Sequence, residues 1–380
     1  MILLVSVSFY PENSPRSFRA TELAKELCRQ GHQVLVAGVD ISGEGNTQRQ
    51  RLLDEYGIQW LSLGDGSWSI LNERWQQGGR ISSLVARLLG YFGEFPSIEW
   101  YFKIPRRLVI PKEVDAVISI AKPFAVHWGL SRLAKKGLLK DKVWLADCGD
   151  PFMLSTLNVR KVPFYFSYLE KAFCRRCDFI VTPTEAGYKG YYPEFRGKIR
   201  VIPQGFHYEE ERAKLGDYTG NDVLTFVYAG AFLHKGRNPT ALLQVLSDSE
   251  VDFRFYIYTQ QQYLVTPHIK QGDSRFIIRG IIPREEIMQV MRNADFLINM
   301  MNGTKVQMPS KLIDYYIVDR PVLNIEDDSL GMGEREVLLE FLNKDFGNRF
   351  VFSNMDSYRI SNVCKGFVEL MEGRKAISNG

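Results

Sequence analysis

The sequence predicts an α/β protein with two Rossmann-like domains that face a central cleft. Strand-like and helix-like segments alternate along most of the 380 residues, which is typical of parallel sheets covered by helices. A chain of this length is too long for one ordinary hydrophobic core and suits two. The polar stretch 207–222 lacks apolar periodicity and divides the chain into two strand–helix series. A ligand site is then expected where the strands of both sheets end.

The first domain is predicted over residues 1–206. Its opening strand is the apolar run 2–8, which lacks the basic flank of a signal peptide. An amphipathic helix over 18–30 ends at Gly31 and leads into the strand 34–38. Further strands are predicted at 114–120, 143–146, 179–181 and 199–202. No apolar run approaches the roughly 20 residues that a membrane helix needs, so we expect a cytoplasmic protein.

The second domain is predicted over residues 223–356, after a hinge linker at 207–222. The remaining apolar segments predict strands at 224–228, 253–258, 275–278, 296–299 and 322–325, and helices at 239–246, 284–292 and 309–318. A last helix within 357–380 is a candidate to pack back onto the first domain.

The alternation fails between residues 61 and 112. This segment holds Trp68, Trp75 and Trp100 together with several basic residues, which are Arg74, Arg80, Arg87, Lys103, Arg106 and Arg107. Helices with aromatic and basic faces can lie on an anionic membrane. The alternative, which we favour, is an insertion on the acceptor side that buries its own aromatic residues.

Composition narrows the function further. With 45% hydrophobic and 24% charged residues the chain resembles a globular protein, and its net charge of +4 is too small to indicate nucleic-acid binding. Cys174 and Cys177 form a CxxC pair inside a predicted helix, with no second pair. Buried thiols in a reducing compartment are therefore favoured over a zinc or redox site.

A candidate anion site lies at the start of the helix predicted at 309–318. Ser310 and Lys311 follow Pro309 in its first turn, beside unpaired backbone N–H groups and the positive end of the helix dipole. Asp314 lies one turn further on the same face as Ser310. The first turn would bind a phosphate, and Asp314 would bind a hydroxyl-bearing group next to it. A ligand with both groups in this order suggests a nucleotide-sugar. Gly230, at the end of another strand, leaves room for a phosphate that a side chain would block.

Four segments in order resemble GT-B glycosyltransferases, especially the retaining family-4-like (group 1) enzymes that build cell-surface polysaccharides and glycolipids. They are residues 9–36, 179–206, 226–246 and 293–323, of which IRVIPQGF at 199–206 is the most diagnostic. The resemblance implies that a sugar is transferred from a nucleoside diphosphate to a hydroxyl of a sugar or lipid-linked acceptor. It also implies retention, no bound metal and no cofactor besides the nucleotide-sugar.

The resemblance also implies roles for individual residues in the donor domain. Lys235 and Arg237 match the basic pair that neutralises the diphosphate, Asp314 matches the carboxylate that binds the ribose, and Arg279 falls where the nucleobase loop lies. Two positions depart from the family pattern. Ala231 stands where an arginine commonly follows the glycine, and Val306 stands where a glutamate often touches the sugar. These departures leave the sugar open and weaken the implication of retention.

On the acceptor side, Asp147 and Asp150 follow a predicted strand in a block similar to one that faces the cleft in some of these enzymes. An aspartate at the carboxyl end of a strand can meet a hydroxyl acceptor, so Asp150 is a candidate acid or base, or orienting group, with a helix cap as the alternative. His127 is a second catalytic candidate, with a structural histidine as the alternative. Arg19 could contact phosphate or an anionic acceptor, or be a solvated cation.

Two rival functions stay open at this point. A nucleotide-sugar epimerase or phosphorylase would share the donor contacts but need an acid and a base on the sugar. A non-catalytic nucleotide-binding protein would keep the fold and lose turnover, as the residues at 231 and 306 allow.

Overall fold

The structure, a computed structural model, describes residues 1–154, 161–234, 237–301 and 310–379. This part of the chain forms two compact units, Met1–Phe206 with Asp356–Gly380, and His207–Met355. Each unit contains a parallel sheet with helices, which confirms the predicted α/β class. None of the described helices is both long enough and apolar enough to span a bilayer.

Seven parallel strands form the sheet of the first unit, counted over its described residues. In chain order they are β1 (Ile2–Val5), β2 (Val34–Gly38), β3 (Gln59–Ser62), β4 (Ala116–Ile120), β5 (Val143–Asp147), β6 (Phe179–Thr182) and β7 (Ile199–Val201). Their spatial order is β3-β2-β1-β4-β5-β6-β7, so the winding reverses between β1 and β4. Ligands of doubly wound sheets bind beside such a reversal, at the carboxyl ends of the strands.

Five parallel strands form the sheet of the second unit, again over the described residues. They are β8 (Leu224–Ala229), β9 (Phe253–Tyr258), β10 (Phe276–Arg279), β11 (Phe296–Met300) and β12 (Val322–Ile325). The spatial order β10-β9-β8-β11-β12 reverses between β8 and β11. The loops after these two strands therefore flank the expected site of the second unit.

The described α-helices of both units are numbered in chain order. They are α1 (Pro15–Arg29), α2 (Gly43–Tyr56), α3 (Ser67–Gln77), α4 (Arg80–Gly93), α5 (Glu99–Arg107), α6 (Ala125–Lys135), α7 (Phe166–Arg176), α8 (Tyr208–Ala213), α9 (Thr240–Asp248), α10 (Arg284–Arg292), α11 (Ser310–Val318), α12 (Met332–Leu342) and α13 (Ile360–Asn379). The terminal helix α13 packs against α1 within the first unit, where Phe367 lies beneath the Arg19 guanidinium.

Successive side chains of a strand point to opposite faces of the sheet, and in the first sheet both faces are covered. In β1, Leu3 and Val5 join one buried apolar cluster, while Ile2 and Leu4 join the other. In the second unit, Phe226 stacks on Phe255 and Phe296, with ring centroids 4.6 and 4.5 Å apart. Strands buried on both faces need near-continuous apolar sequences, and these runs are what made them predictable.

The first helix and the predicted linker are among the segments that differ from the sequence prediction. The first helix begins at Pro15 rather than at residue 18, because the Ser14 hydroxyl accepts a hydrogen bond from the Ser17 N–H and Pro15 suits the first turn. The predicted linker begins with the helix α8, which lies in the second unit. There the Arg212 guanidinium donates to the Tyr316 and Ile317 carbonyls at the end of α11, at 2.9 and 3.1 Å.

Candidate functional site

The second unit brings Gly230 and Lys311 together at the reversal of its sheet. Gly230 follows β8, and its N–H donates to the Tyr258 carbonyl at 2.9 Å. The Lys311 ammonium, from the first turn of α11, lies where a Cβ on Gly230 would be. It also lies 5.3 Å from the centroid of the Tyr228 ring. The glycine therefore allows a cation to reach the backbone at the end of β8.

The surroundings of Lys311 bring the pKa of its ammonium group close to neutral pH. Burial and the nearby Arg237 together lower the pKa of its ammonium to about 8, while Asp314 opposes the shift. A second cation and partial burial both disfavour the charged form. An anionic ligand bound here would offset both effects.

Arg237 lies in the loop between β8 and α9, half-buried and close enough to Lys311 to repel it. Its Nε is buried and has no hydrogen-bond partner among the described residues. Lys235, the other half of the predicted basic pair, lies outside the described residues. The same holds for 302–309, which include Val306 and Pro309, and for the side chain of Ser310.

Asp314 is one turn further along α11 and is held by an arginine that the sequence did not single out. The Arg284 guanidinium donates to Oδ1 of Asp314 from Nε at 3.1 Å and from Nη2 at 2.7 Å, and from Nη1 to Oε2 of Glu211 at 2.9 Å. Burial raises the pKa of the Asp314 carboxyl, and Arg284 opposes that shift. Both hydrogen bonds from Arg284 to Asp314 go to Oδ1. Oδ2 of the same carboxylate can therefore accept a hydrogen bond from a hydroxyl group.

Arg279 ends β10, at the edge of the second sheet, and its side chain is exposed. One strand, β9, separates β10 in the order of the sheet from β8, the strand that ends beside Gly230. Its carbonyl accepts a hydrogen bond from the Thr259 N–H at 3.1 Å. Among the described residues, no hydrogen bond or ion pair joins its guanidinium to Gly230, Lys311 or Asp314.

In the first unit, Arg19 and Asp147 are bound to each other. Nε of Arg19 lies 2.7 Å from Oδ2 of Asp147, and the two side chains are only 2% and 0% exposed. The guanidinium also donates to the Ile202 carbonyl at 3.1 Å and to the Pro203 carbonyl. This ion pair ties α1 to the end of β5 and to the segment after β7. Both residues are thus engaged inside the unit rather than exposed towards an acceptor.

His127 lies in α6 with its ring fully buried. Its Nδ1 is 2.8 Å from the Ser119 hydroxyl, which also accepts a hydrogen bond from Nε1 of Trp144 at 2.8 Å. Its Nε2 is 3.5 Å from Sγ of Cys148. Burial lowers the pKa of the ring to about 3, so it is neutral at physiological pH. This environment favours the structural alternative for His127.

Asp150 is exposed in the loop that leaves β5, and three contacts hold this loop. Gly149 adopts φ of +64°, and the Arg16 guanidinium lies where its side chain would be. The Pro151 ring packs against Gly190 in the same way. The Met153 N–H donates to Oε1 of the buried Glu170 at 3.3 Å. A fixed backbone and an exposed carboxylate are what a group acting on an acceptor hydroxyl requires.

Comparison with known proteins reveals the fold. No protein-family model matches the chain, and no curated protein does. A glycosyltransferase from Rickettsia africae ESF-5 is similar in structure, with 12% identity, coverage of 98% of this chain and 97% of that one, and a TM-score of 0.56. The lipopolysaccharide outer core galactosyltransferase WaaB has 10% identity, coverage of 98% and 99%, and a TM-score of 0.51.

TarM is a third similar structure, with 8% identity, coverage of 97% and 98%, and a TM-score of 0.55. A complex of S. aureus TarM contains UDP and α-GlcNAc-glycerol, and is similar with 8% identity, coverage of 97% and 99%, and a TM-score of 0.50. The chain has the fold of GT-B glycosyltransferases. At these identities the likeness concerns the GT-B fold, and activity has to be argued from the residues themselves.

Three residues that support candidate site residues within one unit or the other escaped the sequence analysis. Arg284 supports Asp314, Arg16 lies over Gly149, and Glu170 anchors the backbone after Asp150. Arg284 lies in the first turn of α10, where a basic residue is unfavourable because of the helix dipole. This unfavourable position was the one sequence feature that could have pointed to a partner for Arg284. Glu170 had none, since a glutamate in an amphipathic helix is normally exposed.

Proposed function

We propose that the protein transfers a sugar from a nucleoside-diphosphate sugar to a hydroxyl group. The carrying observation is the Lys311 ammonium lying against Gly230 where β8 ends and α11 begins. A diphosphate at this point would meet the ammonium, Arg237 and the unpaired N–H groups of the first turn of α11. The ribose would then reach Asp314. Lys235, Ser310 and Arg279 are assigned to the donor on the sequence resemblance alone.

The same residues account for the chemistry. For retention in one step, the acceptor oxygen forms its bond to the anomeric carbon on the same face from which the diphosphate departs. The bond from that carbon to the diphosphate oxygen breaks, and its electron pair leaves with the nucleoside diphosphate. The Lys311 and Arg237 cations stabilise the negative charge that develops on the leaving group. Asp150 accepts the proton of the acceptor hydroxyl. We propose that the reaction proceeds with retention and without a metal ion, as the resemblance implies.

We assign positioning roles to the buried residues of the first unit. His127 and the Arg19–Asp147 pair fix the end of β5, from which the Asp150 loop departs. The acceptor is a sugar or a lipid-linked sugar of a cell-surface polysaccharide or glycolipid, used on the cytoplasmic side. This choice is supported by the resemblance to enzymes of that kind.

The test measures donor binding and turnover separately. The protein is incubated with UDP-, GDP- and dTDP-sugars, each with and without lipid-linked and free sugar acceptors, and both the melting shift and the released nucleotide are recorded. Asp150→Asn should keep the melting shift and lose most nucleotide release, by the 10²- to 10⁴-fold typical of general base removal. Asp141→Asn, an exposed aspartate before the same strand, is the matched control and should stay active.

Each other outcome has a definite meaning. A fully active Asp150→Asn variant would refute the catalytic assignment of Asp150. A melting shift without turnover on any acceptor would establish a nucleotide-binding protein, and a changed sugar without acceptor would establish an epimerase. No melting shift with any nucleotide-sugar would refute the proposal as a whole.

A further inference from the structure

The helix α4 has its large apolar residues on the outside. Ile81, Leu84, Leu88 and Phe92 are 82%, 57%, 48% and 55% exposed, and Val85, Leu89 and Tyr91 are exposed with them. At 3.6 residues per turn these seven side chains cover an arc of about 160°. An ordinary surface helix turns such an arc towards the core.

The face of α4 that meets the protein is made of small residues. Ala86 is its buried apolar residue, and Ser82, Ser83, Gly90 and Gly93 are partly covered around it. The tryptophans of the neighbouring helices are packed: Trp75 stacks on Phe95 with centroids 5.6 Å apart, and Trp100 is buried. The insertion therefore buries Trp100 and partly covers Trp75, but leaves Phe92 and the aliphatic face of α4 exposed.

A second exposed segment extends this face. The Tyr91 hydroxyl donates to the Lys161 carbonyl at 2.8 Å, and the Tyr165 hydroxyl donates to the Phe92 carbonyl. These bonds hold residues 161–168 against the carboxyl end of α4. Phe164 and Tyr168, 76% and 71% exposed, thereby join the same surface. We call the surface formed by α4 and residues 161–168 the apolar ridge.

Within the two segments that form the apolar ridge all charged residues are basic, while Glu94 follows directly after α4. Residues 74–93 contain Arg74, Arg80 and Arg87 and no acidic residue, and residues 161–169 contain Lys161 and no acidic residue. On the helix, the positions of Arg80 and Arg87 border the apolar arc beside Tyr91. An exposed apolar helix face bordered by cations matches an anionic lipid surface, which offers phosphates above an acyl region.

We propose that the apolar ridge docks the protein peripherally on anionic lipid bilayers. Its leucine, isoleucine and aromatic side chains enter the acyl boundary, and Arg87 and Lys161 contact lipid phosphates. The inference does not depend on the proposed transferase activity, because lipid binding is measured without substrate.

The test is cosedimentation of the full chain with vesicles of phosphatidylcholine alone or mixed with phosphatidylglycerol. The wild type should sediment with the mixed vesicles and weakly with phosphatidylcholine. Leu84→Ser/Leu88→Ser should lower the partition coefficient at least about tenfold, since two large side chains leave the acyl boundary. Arg87→Glu should weaken binding to the mixed vesicles only. Leu138→Ser, 52% exposed in the loop after α6, is the matched control and should bind normally.

Every replaced side chain is exposed, so the variants should fold like the wild type. Their thermal midpoints, compared with that of the wild type, check this. A wild type that stays in the supernatant with the mixed vesicles overturns the proposal. So does equal sedimentation of the double serine variant. A wild type that elutes as a dimer, becomes monomeric with the double substitution and ignores vesicles would show instead that the apolar ridge joins two copies of the chain.

Discussion

The Lys311 ammonium occupies the space that a side chain on Gly230 would need. The two residues are far apart in sequence, and the winding of the second sheet brings the end of β8 next to the start of α11. A cation is thereby held against backbone at the point where doubly wound folds bind ligands. Four predictions follow from this pair and from the buried charges of the first unit.

Gly230→Ala should weaken UDP binding on the order of tenfold, because the added methyl group displaces the Lys311 ammonium and with it one charge-assisted contact. Lysine is flexible, so the melting temperature should hardly change. Isothermal titration with UDP measures the effect. Gly333→Ala, in α12 where a Cβ meets nothing within 4 Å, is the control. Wild-type affinity in Gly230→Ala would remove Lys311 from the donor site.

The affinity for UDP should fall as pH rises from 7 to 9. The Lys311 pKa of about 8 means that the ammonium is charged below this range and largely neutral above it. A diphosphate binds the charged form, so the dissociation constant should rise by roughly tenfold across the range. Lys311→Arg keeps its charge and should give a flatter profile. Identical profiles for the two proteins would contradict the assignment.

Asp147→Asn should destabilise the first unit by about 3 to 5 kcal/mol, because it leaves the buried Arg19 guanidinium without a counter-charge. Denaturant unfolding measures this loss. Glu369→Gln breaks the exposed Lys365–Glu369 pair and should change stability little. Wild-type stability of Asp147→Asn together with a raised KM for the acceptor would return Asp147 to the acceptor site.

Glu170→Gln should stabilise the protein at pH 8 and not at pH 4. Burial raises the pKa of the Glu170 carboxyl from 4.5 to about 7, so folding favours its protonated form. Protonated Glu170 therefore makes its full contribution to the free energy of unfolding below pH 4.5. This contribution is lost as the carboxyl ionises in the folded protein, when the pH rises through about 7. Glutamine mimics the protonated form and should gain up to about 3 kcal/mol at pH 8.

Denaturant unfolding of the glutamine variant at both pH values measures this gain. Glu194→Gln, an exposed glutamate paired with Lys171, is the control and should show no gain at pH 8. An equal difference between Glu170→Gln and the wild type at pH 4 and pH 8 would contradict ionisation of Glu170 as the cause.

The strands were predictable because burial on both faces demands unbroken apolar runs. β2, β9 and β12 have the predicted bounds. The strand β3 and the helices α2, α8 and α12 were not predicted. In α2 the buried residues are Arg49 and Leu53, so the helix offers almost no apolar period to detect.

The candidate site was predictable only where chain geometry defines it. Gly230 and Lys311 could be placed together because parallel strands end at one edge of a sheet. The burial of Arg19, Asp147 and His127 could not be predicted, since polar residues are mostly exposed and sequence does not reveal a buried partner. Arg284 is 30 residues from Asp314 in sequence, and only the folded chain brings them into contact.

A helix that meets its protein through serine, alanine and glycine contributes little to the cores of the two Rossmann-like units. The outward side chains of α4 can therefore be exchanged without disturbing the sheets that carry the chemistry. Under the proposed docking, membrane affinity and turnover become separately adjustable traits, and changing one helix would redirect the chain to another surface.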